Sequence, residues 1–265
     1  MMSKIIFRRA VVTAIVLCTF SVIVYQGALA QTNQTSAVSE GMEAIDAASI
    51  ADKHIFIFFW KADDDQYKKM FPIFKSAMKN IGEAAHSISV DITTPEEAPL
   101  VKEYGLSRMP MPLVLALAPN GAVSGCYPLN FDEKSLRQGI TSSGLATCLK
   151  ALQDRKLVLL CVQDESMPAA KSVISAAKGF KANPQYGAAT VVININPTDE
   201  SEQKLLGSLK IDPKTTKVVT VLLAPPGRSV ARFEGPVTTE QIVAKIKASS
   251  TCGPNGCGPG GCCPK

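Results

Sequence analysis

The sequence predicts an α/β protein made of two copies of one β-α-β-α-β-β-α unit, and three observations support this class. Short apolar runs, typical of buried strands, alternate with segments whose apolar residues recur at helical spacing. These segments follow the same order in each half of the chain. Two predicted turns, Ala118-Pro119-Asn120-Gly121 and Ala224-Pro225-Pro226-Gly227, hold matching places 106 residues apart. An internal repeat explains this order better than one sheet with twice as many strands.

The first unit is predicted to contain four strands and three helices. The strands are residues 55–60, 87–92, 113–118 and 122–127. The first helix shows apolar residues at helical spacing: Tyr67, Met70, Phe71, Phe74, Met78 and Ile81. Thr94-Pro95-Glu96-Glu97 opens the second helix with a capping threonine and a proline in the first turn. The third helix begins near Asn130 and runs towards Leu149.

The second unit repeats these elements. Its strands are residues 157–162, 190–195, 218–224 and 229–233. Its helices contain residues 170–180 and 200–209, and a closing helix capped by Thr238 with Gln241 three positions on. The two units are expected to join near Gln153-Asp154-Arg155, which sets the predicted domains at residues 42–152 and 153–249.

Residues 1–30 are typical of a secretory signal peptide. Lys4, Arg8 and Arg9 precede an almost wholly apolar run, and Ala28-Leu29-Ala30 supplies a small-x-small cleavage site. Residues 31–41 are expected to form a flexible leader. The sequence therefore predicts a secreted protein, in bacteria a periplasmic one, that does not contact the membrane once the signal is cleaved.

The overall composition excludes several classes of protein. Of 265 residues, 46% are hydrophobic and 19% charged, which is ordinary for a globular chain and unlike a disordered or multi-span membrane protein. With Lys4, Arg8 and Arg9 removed from the 28 basic residues, 25 remain against 23 acidic ones. That balance gives no basis for binding nucleic acid.

The order of elements in the first unit, with three motifs, resembles the thioredoxin family. Members of that family carry Phe-Trp-Ala-x-Trp-Cys-Gly-Pro-Cys-Lys, a helix proline four residues later, Tyr-Gly-Ile-x-x-Ile-Pro and an Asn-Gly hairpin. The matching stretches here begin at Phe59-Trp60, Pro72, Tyr104-Gly105 and Asn120-Gly121. The resemblance implies tandem thioredoxin-like folds, each with a mixed central sheet flanked by helices.

The redox cysteines of the thioredoxin family are missing. Asp64 and Tyr67 stand at their positions in the first unit, and Asp164-Glu165-Ser166-Met167-Pro168 fills the corresponding turn of the second. Thr216 stands where the second unit would carry the family's cis-proline. Neither an aspartate nor a phenol forms a disulfide, so dithiol exchange at these sites is excluded. An enzymatic function is accordingly not favoured.

The first unit keeps residues suited to binding a peptide. The resemblance implies a cis peptide bond at Pro110, which exposes backbone for pairing with an extended chain. Trp60, Asp64, Tyr67, Met109 and Pro110 are the candidate groove residues, with Arg108 and Met111 on the rim. Trp60 and the methionines are alternatively part of the core.

The roles of two further groups of polar residues are predicted from their positions. Asp63-Asp64-Asp65 either holds a hard cation such as calcium or caps the helix. His54 and His86, the only histidines, are expected to be structural.

The position of each cysteine in the chain predicts its environment. Cys161 lies in an apolar strand and is expected to be buried, whereas Cys126 and Cys148 are the candidate pair for a disulfide. The remaining four mature cysteines lie in a Cys/Gly/Pro-rich tail, residues 250–265, which we expect to be extended and disordered. They are Cys252, Cys257, Cys262 and Cys263.

The tail cysteines leave three chemistries open. As thiolates they are soft ligands suited to copper(I) or zinc. In an oxidising compartment they form disulfides within the tail or to another chain, which would give an oligomer. They also offer thiols for exchange with a client. The favoured function is therefore a non-catalytic binding or scaffold module for a polypeptide partner, with metal binding and tail-based thiol exchange as alternatives.

Overall fold

The computed structural model describes residues 38–250, so the predictions for the signal peptide, most of the leader and the cysteine-rich tail lie outside it. Eight α-helices, four short 3-10 helices and eight strands are found in this range, and the α-helices and strands are numbered here. The helices are α1 Glu40–Ile50, α2 Asp65–Ile81, α3 Ala98–Glu103, α4 Glu133–Arg137, α5 Ser143–Gln153, α6 Ala170–Lys181, α7 Gln203–Ser208 and α8 Thr239–Ser250. The strands are β1 His54–Trp60, β2 Ala85–Asp91, β3 Leu113–Leu117, β4 Val123–Pro128, β5 Leu157–Val162, β6 Thr190–Ile195, β7 Val219–Ala224 and β8 Arg228–Glu234.

The strands form two four-stranded mixed sheets of the same topology. The first has the order β2-β1-β3-β4 and the second β6-β5-β7-β8. In each sheet one parallel pair is followed by two antiparallel pairs. The predicted α/β class and tandem repeat are therefore confirmed, and the predicted strands match the observed ones to within two residues at their ends.

Strand β1 is buried because helices cover both faces of its sheet. Side chains on a strand alternate between the two faces. Ile57 and Phe59 therefore pack with α1 and α3, and Phe56 and Phe58 pack with α2. All four are fully buried, as the apolar run predicts.

Helix α1 begins within the segment that we expected to be a flexible leader. The Ser39 side chain caps it by accepting a 3.0 Å hydrogen bond from the Met42 N–H. The helix packs on β1 and β2, with Ala48 buried. The leader prediction to residue 41 is therefore wrong at its end, because this helix is held by contacts with a sheet rather than by a strong apolar stripe of its own.

The third predicted helix of the first unit is two helices in the structure. Helix α4 ends at Arg137, and α5 starts at Ser143 after a Ser142 cap. Helix α5 packs on β5 and β6 as α1 packs on β1 and β2, and it also contacts β4. We therefore propose that the second unit starts ahead of Ser142 rather than at residue 153.

Candidate functional site

The candidate site lies where β1 ends and α2 begins. Phe59 of β1 pairs with Leu113 of β3 in the antiparallel register. Trp60 follows Phe59 as the last residue of β1, and Pro112 directly precedes Leu113. The end of β1 is thus next to the segment that leads into β3.

Asp64 caps helix α2. Its carboxylate accepts a 2.8 Å hydrogen bond from the Tyr67 N–H. Asp63 is 4.0 Å from the Lys68 ammonium, and both side chains are mostly exposed. The aspartate triplet therefore lies at the start of a helix that Asp64 caps. Helix capping was one of the two interpretations of this motif.

Tyr67 and Trp60 form an aromatic pair at the helix start. Their ring centroids are 5.0 Å apart, and Tyr67 also stacks on Phe71 at 5.2 Å. Both Trp60 and Tyr67 are half-buried, so each presents one part to the core and another to solvent. Trp60 thus contributes to the core, and its place in a peptide-binding groove stays a prediction.

Gln66 joins the start of α2 to the loop after β4. Its amide donates hydrogen bonds to the Leu129 carbonyl at 2.6 Å and the Asn130 side-chain oxygen at 3.2 Å. The Leu129 N–H in turn donates to the Pro112 carbonyl at 2.7 Å. Our sequence analysis missed Gln66 and Leu129, since no local pattern marks a contact across more than 60 residues.

Leu129 is an exposed apolar residue in an unusual backbone conformation. Its φ is +60°, in the left-handed region that non-glycine residues rarely adopt. Its relative exposure is 41%, which makes it one of three large apolar residues exposed in the described range. The hydrogen bonds at both its backbone groups hold this side chain at the surface beside α2.

The cis peptide bond is at Met111–Pro112, so the prediction of a cis bond at Pro110 is wrong. In the family motif the strand follows its proline, which corresponds to Pro110. Here β3 begins two residues later, directly after Pro112. Pro112 is buried, whereas Pro110 is exposed. The second cis bond is Pro225–Pro226, in the turn between β7 and β8.

Met109 and Met111 are half-buried against the α1 and α3 face of the sheet. Trp60 and Tyr67 pack on the α2 face. The candidate groove residues therefore lie on both faces of the first sheet, near the end at which β1 stops and β3 starts. Within residues 38–250, the Met111 N–H and C=O form no hydrogen bond, which leaves one donor and one acceptor of the backbone free at this place.

The three described cysteines are free thiols, so the candidate Cys126–Cys148 disulfide is not formed. Cys126 is exposed on β4, whereas Cys148 packs into the apolar cluster of the second sheet because α5 covers that sheet. Burial raises the pKa of Cys148 to about 11 and that of Cys161 to about 12.

In the described part of the chain, no group of three or more His, Cys, Asp or Glu side chains is placed to hold a metal ion. Cys252, Cys257, Cys262 and Cys263, the candidates for copper(I) or zinc, lie outside the described residues. No helix between residues 38 and 250 combines the length and apolar character needed to cross a bilayer.

The topology is that of two thioredoxin-like folds in tandem. In each unit a parallel β-α-β element is followed by an antiparallel hairpin and a helix, with the third strand next to the first. The helix that carries the dithiol in the thioredoxin family starts here with Asp64 and Tyr67. The first unit is therefore a thioredoxin-like fold without its sulfur pair.

No protein-family model and no curated protein matches the sequence. Solved structures that resemble it include the first two thioredoxin domains of Eps1p from Naumovozyma dairenensis, with 12% identity, 79% of this chain and 95% of that chain covered, and a TM-score of 0.29. Human ERp44 in its zinc-bound form has 16% identity, coverages of 80% and 60%, and a TM-score of 0.33. The germline-specific thioredoxin Deadhead from Drosophila melanogaster has 24% identity, coverages of 38% and 91%, and a TM-score of 0.31. At these scores the strand order alone establishes the fold.

Proposed function

We propose that this chain is an exported, non-catalytic thioredoxin-like protein that binds an extended polypeptide at its first unit. The observation that carries the proposal is the free backbone N–H and C=O of Met111, which lies just before β3 at the end of the sheet where Trp60 ends β1 and packs on Tyr67. An extended peptide satisfies such groups by pairing with them as a strand does.

Apolar contact would supply most of the affinity. Trp60 and Tyr67 are half-buried, and Leu129 is held at the surface by the hydrogen bonds that link it to Gln66 and Pro112. Rigid aromatic and apolar side chains of this kind lose little conformational entropy on binding. Because Asp64 and Tyr67 replace the sulfur pair, a peptide held here would be bound without exchanging a disulfide.

Export is supported by the basic start, apolar run and Ala28-Leu29-Ala30 of the signal peptide. The same compartment gives a second candidate function to the tail, because four cysteines within its last fourteen residues can bind a soft metal or exchange disulfides. Metal analysis of anaerobically purified protein, with those four cysteines intact or replaced by serine, tests metal binding. An insulin-reduction assay on the same pair tests exchange.

The binding function is tested with a permanently unfolded polypeptide, fluorescein-labelled lactalbumin that has been reduced and alkylated. The variant Leu129→Asn removes an exposed apolar side chain while placing at φ +60° a residue that tolerates this conformation. We expect its Kd by fluorescence anisotropy to rise about tenfold, the effect of losing roughly 1.4 kcal/mol of apolar contact.

The matched control is Ile50→Asn, since Ile50 is 87% exposed at the end of α1 and far from the loop after β4 in sequence. Its Kd should equal that of the unmodified protein. Equal binding by Leu129→Asn and the unmodified protein, or no binding by either, would refute the proposed function.

A further inference from the structure

A cleft of about 630 Å³ opens beside the candidate site. Its apolar wall includes Ile92 and Val101, and its polar rim includes Lys102, Ser107 and Arg108. The cleft adjoins the site at two points. The Ile92 N–H donates a 2.9 Å hydrogen bond to the Trp60 carbonyl, and Arg108 directly precedes the Met109–Met111 segment.

The two cations of the cleft have no partner within the chain as described. Neither the Lys102 ammonium nor the Arg108 guanidinium forms a hydrogen bond or an ion pair between residues 38 and 250. Both side chains are exposed. Two unpaired positive charges on one rim raise the local concentration of anionic groups.

Two carboxylates of the segment that leads into α3, those of Asp91 and Glu97, are already engaged elsewhere. Asp91 accepts hydrogen bonds from the Thr93 N–H at 2.9 Å and the Thr93 hydroxyl at 2.7 Å. Glu97 is buried and accepts from Ser39 and Gly41. These carboxylates therefore serve the fold, and the cations of the cleft remain available to a ligand.

The second unit shows that the fold does not require these cations. The segment from β2 to the turn before β3 repeats 105 residues later, with β2 at Ala85–Asp91 and β6 beginning at Thr190, and α3 at Ala98–Glu103 and α7 at Gln203–Ser208. The left-handed residue after the helix repeats as well, at Gly105 and Lys210. In this register Gly207 and Pro213 stand at the positions of Lys102 and Arg108.

We propose that this cleft binds a carboxylate of the partner polypeptide, so that the first unit selects extended segments carrying an acidic group next to an apolar residue. This inference rests on the proposed peptide-binding function. The guanidinium of Arg108 offers paired N–H donors to the two carboxylate oxygens, and Lys102 adds a second positive charge. Ile92 and Val101 take the apolar neighbour.

The carboxylate has two sources in a polypeptide, a side chain or the C-terminus. An array of immobilised random twelve-residue peptides, probed with the fluorescently labelled full chain, separates them. Each acidic peptide has a matched copy with Gln for Glu and Asn for Asp, and every sequence is present with a free and an amidated C-terminus. We expect acidic peptides to bind about tenfold more tightly than their amide copies, as one charge-assisted hydrogen bond provides.

The variant carrying Lys102→Gln and Arg108→Gln should lose this preference while still binding neutral apolar peptides. Its matched control, Arg228→Gln with Lys245→Gln, removes one exposed Arg and one exposed Lys from the second unit and should keep the preference. Binding without any acidic preference, or a preference that survives loss of Lys102 and Arg108, overturns the inference and leaves peptide binding standing. Failure to bind every peptide overturns both.

Discussion

The Ser142 hydroxyl donates a 2.6 Å hydrogen bond to the buried carboxylate of Glu202. The other oxygen of that carboxylate accepts from the Gly144 N–H at 2.9 Å. The first unit repeats the arrangement, with Glu97 accepting from Ser39 at 2.6 Å and from Gly41 at 3.2 Å. In each unit a buried glutamate thus ties the first helix to the turn that follows the second strand.

Replacing either buried glutamate by glutamine should destabilise the protein. Each carboxylate accepts a serine hydroxyl at one oxygen and a glycine N–H at the other. Glutamine has only one acceptor oxygen, so its NH₂ group would face one of these two donors and leave it without an acceptor. We expect Glu97→Gln and Glu202→Gln each to lower the free energy of unfolding by about 1–3 kcal/mol, the cost of an unsatisfied buried donor. Urea denaturation measures the loss.

The control for this pair is Glu96→Gln, because Glu96 is exposed and next to Glu97. Its free energy of unfolding should stay within about 0.5 kcal/mol of the unmodified value. A Glu97→Gln protein as stable as this control would mean that the buried hydrogen bonds do not hold α1 in place.

Two helical glycines should respond to alanine with opposite signs. A Cβ at Gly144 would meet the Ile195 side chain and lie 2.6 Å from a Glu202 carboxylate oxygen, so Gly144→Ala should destabilise by about 1–3 kcal/mol. A Cβ at Gly207 in α7 meets nothing within 4 Å. Gly207→Ala should therefore stabilise by about 0.5–1 kcal/mol through helix propensity.

Thermal unfolding of the two alanine variants beside the unmodified protein gives the comparison. A stabilised Gly144→Ala protein would show that α5 does not approach Glu202 and β6 as closely as described.

Stability should fall as the pH drops below about 6.5, the ordinary pKa of histidine. The Thr141 N–H donates to His54 Nε2 at 3.1 Å, which requires that nitrogen to be unprotonated. Burial lowers the pKa of His54, Lys204 lowers it further, and Asp52 partly opposes the shift. Because the unfolded chain then binds a proton more readily than the folded one, the folded state loses stability between its ordinary and its lowered pKa.

The measurement is the urea midpoint at several values between about pH 5 and pH 7.5, a window around the ordinary histidine pKa. The variant His54→Gln has no proton to bind there, so its midpoint should change less over this range than that of the unmodified protein. Parallel curves for the two proteins would contradict the proposed role of His54.

Thiol labelling should separate the three described cysteines. The thiolate is the reactive form, and burial raises the pKa of Cys148 to about 11 and of Cys161 to about 12. In a chain that keeps these three cysteines and carries serine at all its other cysteine positions, Cys126 should react with a chromogenic disulfide reagent in the native state, since it is exposed. The other two should react only after unfolding in urea. Native labelling of Cys148 as fast as that of Cys126 would contradict the packing of α5 on the second sheet.

Much of the fold can be predicted from the sequence because hydrophobic periodicity is a local signal. The eight strands and the long amphipathic helix α2 appear where the apolar pattern predicts them. The pattern is weaker for α1, which the sequence analysis did not predict as a helix and whose first two residues it placed in the leader. It also does not show that residues 130–149 divide into α4 and α5, since the direction in which a helix packs depends on a sheet far away in the chain.

At the candidate site, too, some features follow from the sequence and others only from the tertiary structure. The sequence by itself determined that Asp64 and Tyr67 replace the redox cysteines, because residue identity decides whether a disulfide can form there. Only the tertiary structure decided that the cis bond precedes Pro112, that Gln66 holds Leu129 at the surface, and that Glu97 and Glu202 are buried. Each of these depends on hydrogen bonds or packing between residues distant in sequence, and such contacts leave no periodic trace in the chain.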